Sequence, residues 1–132
     1  MVLPHHIFII SGDYVFTELM ATMFRQFLKK SIITKIHSFN AIRQENQLEK
    51  CDLLLLGDLI EGARGLEVLE YLRLKRKLIC PIAYFCDDVA DLKEKAIRRG
   101  SNFCYTKPYK PDIIVLDLIQ KTTSTLISGS IP

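Results

Sequence analysis

Asp52-Leu53-Leu54-Leu55-Leu56-Gly57-Asp58-Leu59-Ile60-Glu61-Gly62-Ala63-Arg64-Gly65-Leu66-Glu67-Val68-Leu69 is the stretch whose reading decides the fold. Its opening apolar run is too short for a helix and is bounded by Gly57, so it reads as a strand buried on both faces. Residues 57–64 read as a loop, and residues 65–77 as a helix with Leu66, Leu69 and Leu72 facing inward. A doubly buried strand feeding an amphipathic helix is the building unit of a parallel sheet.

The same alternation extends in both directions. Residues 6–10 form a β-branched and aromatic run that Gly12 ends, and Asp13 is placed to cap the first helix. Phe16, Leu19, Met20, Met23, Phe24, Phe27 and Leu28 then recur at helical spacing. Residues 32–37 read as a strand, and 41–49 as a polar helix with Ile42 and Leu48 inward. Beyond the central unit come a strand over 79–86 and a helix over 89–99, stopped by Gly100 in a left-handed conformation. A short strand over 102–106 leads into the Lys107-Pro108 turn. Pro111 opens a last helix with Ile114, Leu118 and Ile119 inward. Five strands, each succeeded by a helix, predict an α/β fold. Its doubly wound parallel sheet has order 2-1-3-4-5 and helices on both faces, as in flavodoxin-like folds. The domain is expected over residues 4–122, with a Ser/Thr/Gly-rich flexible tail over 123–132.

Composition narrows the function. A chain of 132 residues, 48% apolar and 25% charged, suits one globular domain able to bury roughly two-thirds of its unfolded surface. No stretch nears the ~18 apolar residues of a membrane span. The first residues lack a cationic segment before an apolar one, so no secretory signal is expected and the location is expected to be cytoplasmic. The net charge of +3, with signs interleaved, gives no footprint for nucleic acid. Cys51, Cys80, Cys86 and Cys104 stand apart, with no CxxC and no nearby histidine, so neither a metal nor another cofactor is expected. Reduced, buried thiols are the expectation. No glycine-rich phosphate loop is present.

In doubly wound sheets, ligands and chemistry gather beyond the carboxyl ends of the strands. Those ends are Ser11-Gly12-Asp13, Gly57-Asp58, Cys86-Asp87 and Thr106-Lys107. Residues 52–69 resemble the third strand, loop and third helix of response-regulator receiver domains. Ala96-Ile97-Arg98-Arg99-Gly100-Ser101-Asn102-Phe103-Cys104-Tyr105-Thr106-Lys107-Pro108-Tyr109 resembles the stretch that ends in their Lys-Pro-aromatic motif, and Pro111-Asp112 the start of their fifth helix. The resemblance spans residues 6–121 and implies a place in a two-component phosphorelay. The family's chemistry is phosphoryl transfer to an aspartate at the end of the third strand. Mg²⁺ is held there by two acids after the first strand, by the acceptor and by a backbone carbonyl. A hydroxyl residue and a lysine contact the phosphoryl group, whose charge must be neutralised beside the carboxylate.

The motif places the acceptor five residues after Asp52 and eight before Gly65, and both routes reach Gly57, which carries no nucleophile. The acidic pair falls on Ser11 and Gly12, with Asp13 next in line, the hydroxyl residue on Cys86 and the aromatic switch on Cys104. Only Lys107 is kept. The expected protein is a pseudo-receiver, not an enzyme, that works by phosphorylation-independent contact with a signalling protein. A histidine kinase, an output protein and a second copy of the chain are the candidate partners. The resemblance places the partner surface on the fourth helix, fifth strand and fifth helix, a face over residues 89–121 that carries Lys93, Arg98, Arg99, Tyr105 and Tyr109.

Two other readings stay open. Asp58 or Asp13, each one position past a lost acid, can serve as a displaced acceptor, or the crevice can take a small ligand. Each residue also has a plain structural role to weigh: Asp13 as helix cap, and Lys107 as ion-pair partner of Asp58 or Asp87. Cys86 and Cys104 read as apolar filler, or as a redox pair if their Cα atoms lie within ~4.4–6.8 Å. A cis Lys107–Pro108 peptide is implied by the resemblance.

Overall fold

β3 (Leu53–Gly57) is buried along its whole length at the centre of a five-stranded parallel sheet. The computed structural model describes residues 3–130, with side chains to Thr123. On one side β3 pairs with β1 (His6–Ile10), which pairs with β2 (Ile32–Ile36); on the other lie β6 (Ile82–Cys86) and β7 (Phe103–Thr106). The order is β2-β1-β3-β6-β7. Counting the sheet strands alone, this is the expected 2-1-3-4-5. The register aligns Ile10, Leu56, Tyr84 and Cys104, so Ser11, Gly57 and Cys86 emerge together at one end of the sheet.

Side-chain alternation splits the core into two layers. Ile7, Ile9, Leu53, Leu55, Ala83 and Phe85 face α1 (Tyr14–Phe27) and α5 (Pro111–Ser130). Phe8, Ile10, Leu54, Leu56, Ile82 and Tyr84 face α2 (Phe39–Gln44), α3 (Gly65–Glu70) and α4 (Leu92–Arg98). The apolar stripe of α1 is narrower than its sequence suggests: Phe16, Met20 and Phe24 are buried, whereas Leu19 and Phe27 are 45% and 42% exposed. Asp13 caps the helix by accepting from the Phe16 N–H at 3.1 Å, and Gly100 stops α4 with φ +113°.

Several segments depart from the sequence reading. The helix expected over 41–49 is two pieces, α2 and a 3₁₀ turn at Leu48–Lys50. Arg76 causes the break, because its guanidinium donates to the Ile42 carbonyl at 3.1 Å and the Glu45 carbonyl at 2.7 Å and so captures the end of α2. The helix after Gly65 widens into a π turn at Tyr71–Lys75, closed by the Arg76 N–H on the Tyr71 carbonyl. The expected loop over 57–64 contains a small antiparallel hairpin, β4 (Leu59–Ile60) and β5 (Ala63–Arg64). α4 starts later than expected, after Asp91 in a left-handed conformation.

Arg73 fastens the lower edge of the sheet. Its guanidinium donates to the carbonyls of Gly100, Leu78 and Cys80 and to Asn102 Oδ1, at 2.8–2.9 Å. The α5 backbone continues as helix to Ser130, and the tail expected over 123–132 lies almost wholly outside the residues whose side chains are described.

Candidate functional site

At the carboxyl end of the sheet lies a cavity of about 160 Å³ whose lining includes Ser11, Asp13, Gly57, Asp58, Cys86 and Lys107. These are strand-end residues chosen from sequence, and the fold brings them together. Gly12 stands just behind them, its N–H donating to the Leu59 carbonyl at 2.7 Å.

Each polar group at the rim already has a partner. The buried Ser11 hydroxyl accepts the Asp13 N–H at 3.0 Å and fills the space beside Gly57. The Asp13 carboxylate is the cap of α1. The Asp58 carboxylate accepts a hydrogen bond from Tyr84, a tyrosine with no solvent exposure that reaches up from the core. Burial, and then that bond to Asp58, raise the Tyr84 hydroxyl well above the usual phenol range. Gly65 makes the arrangement possible, since a β-carbon there would lie 2.5 Å from the Gly57 carbonyl and 2.6 Å from the Tyr84 hydroxyl. Lys107 pairs with Asp87 at 3.0 Å, both well exposed. The Lys107–Pro108 peptide is cis, as the resemblance implied.

The hairpin closes the rim above β1 and β2. Besides the Gly12–Leu59 bond, the Glu61 N–H donates to the His37 carbonyl at 3.1 Å, and the Phe39 N–H to the Glu61 carbonyl at 2.8 Å. A β-carbon on Gly12 would sit 3.1 Å from the Leu59 carbonyl oxygen. Carboxylates at 11 and 12 would therefore meet an occupied rim. Among the described residues, no three His, Cys, Asp or Glu side chains are arranged to hold a metal ion.

The floor is aromatic. Phe16, Phe85 and Tyr109 pack with ring centroids 5.0–5.7 Å apart, and the Tyr109 hydroxyl donates to the Cys86 carbonyl at 3.1 Å. Cys86 and Cys104 sit on one face of neighbouring strands, with their sulfurs 3.8 Å apart. Burial, and then the neighbouring Cys104, push the Cys86 thiol up to about 12.

The residues expected at a partner surface have different settings. Lys93, Arg98 and Arg99 are all exposed on and just after α4, and Arg99 pairs with Glu70 of α3 at 3.2 Å. Tyr105 stacks on Phe85 and donates to Asp117 at 2.5 Å, and Tyr109 belongs to the cavity floor. Tyr84, Leu59 and Phe16 were not singled out from sequence because each reads there as ordinary core or loop. The short spacing between Asp58, Gly65 and the buried strand gives no sign that a tyrosine hydroxyl meets a carboxylate.

No family model matches the sequence, and no curated relative is found for it. Comparison of structures does succeed. A two-component response regulator from Clostridium difficile superposes with a TM-score of 0.80 at 18% identity, over 92% of this chain and 98% of that one. The signal receiver domain of a DNA-binding response regulator from Colwellia psychrerythraea gives 0.76 at 16%, over 94% and 98%. The chemotaxis response regulator CheY4 of Vibrio cholerae gives 0.76 at 12%, over 89% and 98%. With its strand order, its helices on both faces and its length-for-length match to these chains, this protein has the fold of response-regulator receiver domains.

Proposed function

We propose that the chain is a receiver-like module of a two-component phosphorelay, acting in the cytoplasm by protein–protein contact without aspartyl phosphorylation and without enzymatic activity of its own. One observation carries the reading: the end of β3 offers Gly57, and the Ser11 hydroxyl fills the space where a side chain there would start. The remaining acids of the rim are engaged, Asp13 with the α1 backbone and Asp58 with Tyr84. Lys107, the one motif residue kept, faces Asp87 rather than an acceptor carboxylate. The partner, a histidine kinase, an output protein or a second copy, would then meet one standing conformation, since a ligand shifts an equilibrium only through differential affinity for its states. The exposed Lys93, Ile97 and Arg98 of α4 supply charge around an apolar centre for that contact.

Backbone amide NMR tests it. Spectra with millimolar Mg²⁺, then with Mg²⁺ and beryllofluoride, should show no saturable shifts at Gly12, Gly57 and Asp58. Saturable shifts with beryllofluoride would instead establish Asp58 or Asp13 as a displaced acceptor. Shifts with a nucleotide panel alone would establish a small-ligand site.

A further inference from the structure

We propose that Cys86 and Cys104 are an oxidation site for hydrogen peroxide, whose product is an intrachain disulfide tying the end of β6 to β7. The two residues occupy diagonal positions on one face of adjacent strands, since Tyr84 pairs with Cys104 and Cys86 with Thr106. Their sulfurs are in contact at 3.8 Å, and because the two positions are diagonal, closing the bond draws the ends of β6 and β7 together as the side chains rotate. The site can be reached from two sides. Cys86 is 1% exposed but lines the strand-end cavity, and Cys104 is partly exposed beneath α4. A cavity of about 160 Å³ admits a small uncharged oxidant of nearly the size of water.

The surroundings assign the roles. Burial holds the Cys104 thiol above its usual value, and the hydrogen bond from Cys86 and the ammonium of Lys93 offset only part of that rise. Cys86 is held protonated by burial, by Cys104 and by the carboxylates of Asp58 and Asp87. Cys104, the more exposed of the two, is the attacking sulfur and the buried Cys86 the resolving one. The Cys104 thiolate attacks one peroxide oxygen, the O–O bond breaks, and the departing hydroxide takes up a proton as water. That leaves a sulfenic acid on Cys104. The Cys86 sulfur then attacks the Cys104 sulfur, the S–O bond breaks, and the second hydroxide leaves with the proton that Cys86 gives up. Two thiols supply two electrons, and one peroxide becomes two waters. The inference stands independently of any signalling role.

The test uses the full, reduced chain treated with hydrogen peroxide, then alkylation of the remaining thiols under denaturing conditions and tryptic mapping. Lys93, Lys95, Arg98 and Arg99 separate the two cysteines, so the product is a cross-linked peptide pair. Cys80 shares its tryptic peptide with Cys86, and fragmentation spectra must place the bond. A Cys80→Ser variant, checked for folding by its melting curve, gives the same answer independently. The expected result is a Cys86–Cys104 link in most molecules, with dithiothreitol restoring Cys104 alkylation. In Cys86→Ser the link disappears and Cys104 passes to acids that dithiothreitol does not reverse. A wild-type Cys104 that goes to those acids with no link, or a link only between Cys51 and Cys80, overturns the proposal. So does a pair that stays reduced when folded but oxidises in denaturant.

Discussion

Ser11 Oγ lies 2.8 Å, and Ser11 Cβ 3.0 Å, from the point where a β-carbon on Gly57 would stand. Neighbouring strands thus fit each other at this rim: the missing side chain of one leaves room for the hydroxyl of the other. Gly57→Ala should cost about 1–3 kcal/mol by overpacking. Ser11→Gly should recover much of that in the double variant, a non-additivity of about 0.5–3 kcal/mol in urea unfolding. Strictly additive costs would show that the two positions are uncoupled.

Gly57→Asp alone should take no label from acetyl phosphate in Mg²⁺, because the acids that would hold the metal are absent at 11 and 12. Adding Ser11→Asp and Gly12→Asp should raise labelling while lowering the melting temperature, since the Gly12 β-carbon would crowd the Leu59 carbonyl at 3.1 Å. A single variant labelled as fast as an ordinary receiver would contradict this account.

Tyr84→Phe removes the hydroxyl that Asp58 accepts from. Asp58 is partly exposed and water can replace the bond, so the expected cost is about 1–2 kcal/mol. Gly65→Ala should cost more than Gly57→Ala, because its β-carbon would meet backbone at 2.5 Å rather than a rotatable hydroxyl. Denaturant midpoints of the three variants give the ranking directly.

Stability should fall on the alkaline side. Burial, and then a neighbouring partner, raise the folded-state values of Cys86, to about 12, and of Tyr84, so the folded protein keeps protons that the unfolded chain releases. Their contribution is whole below the unfolded values of about 8.5 and 10 and declines above them, by about 1.4 kcal/mol per pH unit for each group. Asp117 acts at the acid end. Burial raises its carboxyl, but the bonds from Tyr105 and Lys121 outweigh burial and hold it below the usual range. Its contribution is present at neutral pH and is lost as pH falls through the folded value. Melting temperatures across pH 3–11 should show both declines, and a flat alkaline limb would refute the first.

Reversing charge at Lys93 and Arg98 should weaken association with a partner or a second copy by tenfold or more at low salt, on the order of 1–2 kcal/mol, with an unchanged melting temperature. Arg99→Glu should cost stability as well, because Arg99 is committed to Glu70. Sedimentation and pull-down measurements separate these outcomes. Loss of association on altering the outer face of α1 instead would move the contact surface there.

Legibility tracks sequence distance. β3, β1 and β6 are readable because doubly buried strands leave unbroken apolar runs, and the Asp13 cap and Gly100 stop because one residue decides each. The hairpin at 59–64 is not, since its hydrogen-bond partners Gly12, His37 and Phe39 are remote in the chain. The break in the 41–49 helix is set by Arg76, some thirty residues away, through bonds that local propensity cannot register. At the site, spacing alone shows that positions 11, 12 and 57 carry no carboxylate. That Tyr109 turns into the cavity and that Tyr84 occupies Asp58 depend on packing between layers.

The bonds from Gly12 to Leu59, from Glu61 to His37 and from Phe39 to Glu61 tie three separate loops into one continuous edge. Loops that move independently lose conformational freedom whenever something binds them, and that loss weakens the complex. Here most of it has already been incurred in folding, so a molecule that docks on this rim orders very little backbone, and its affinity reflects contact rather than rearrangement.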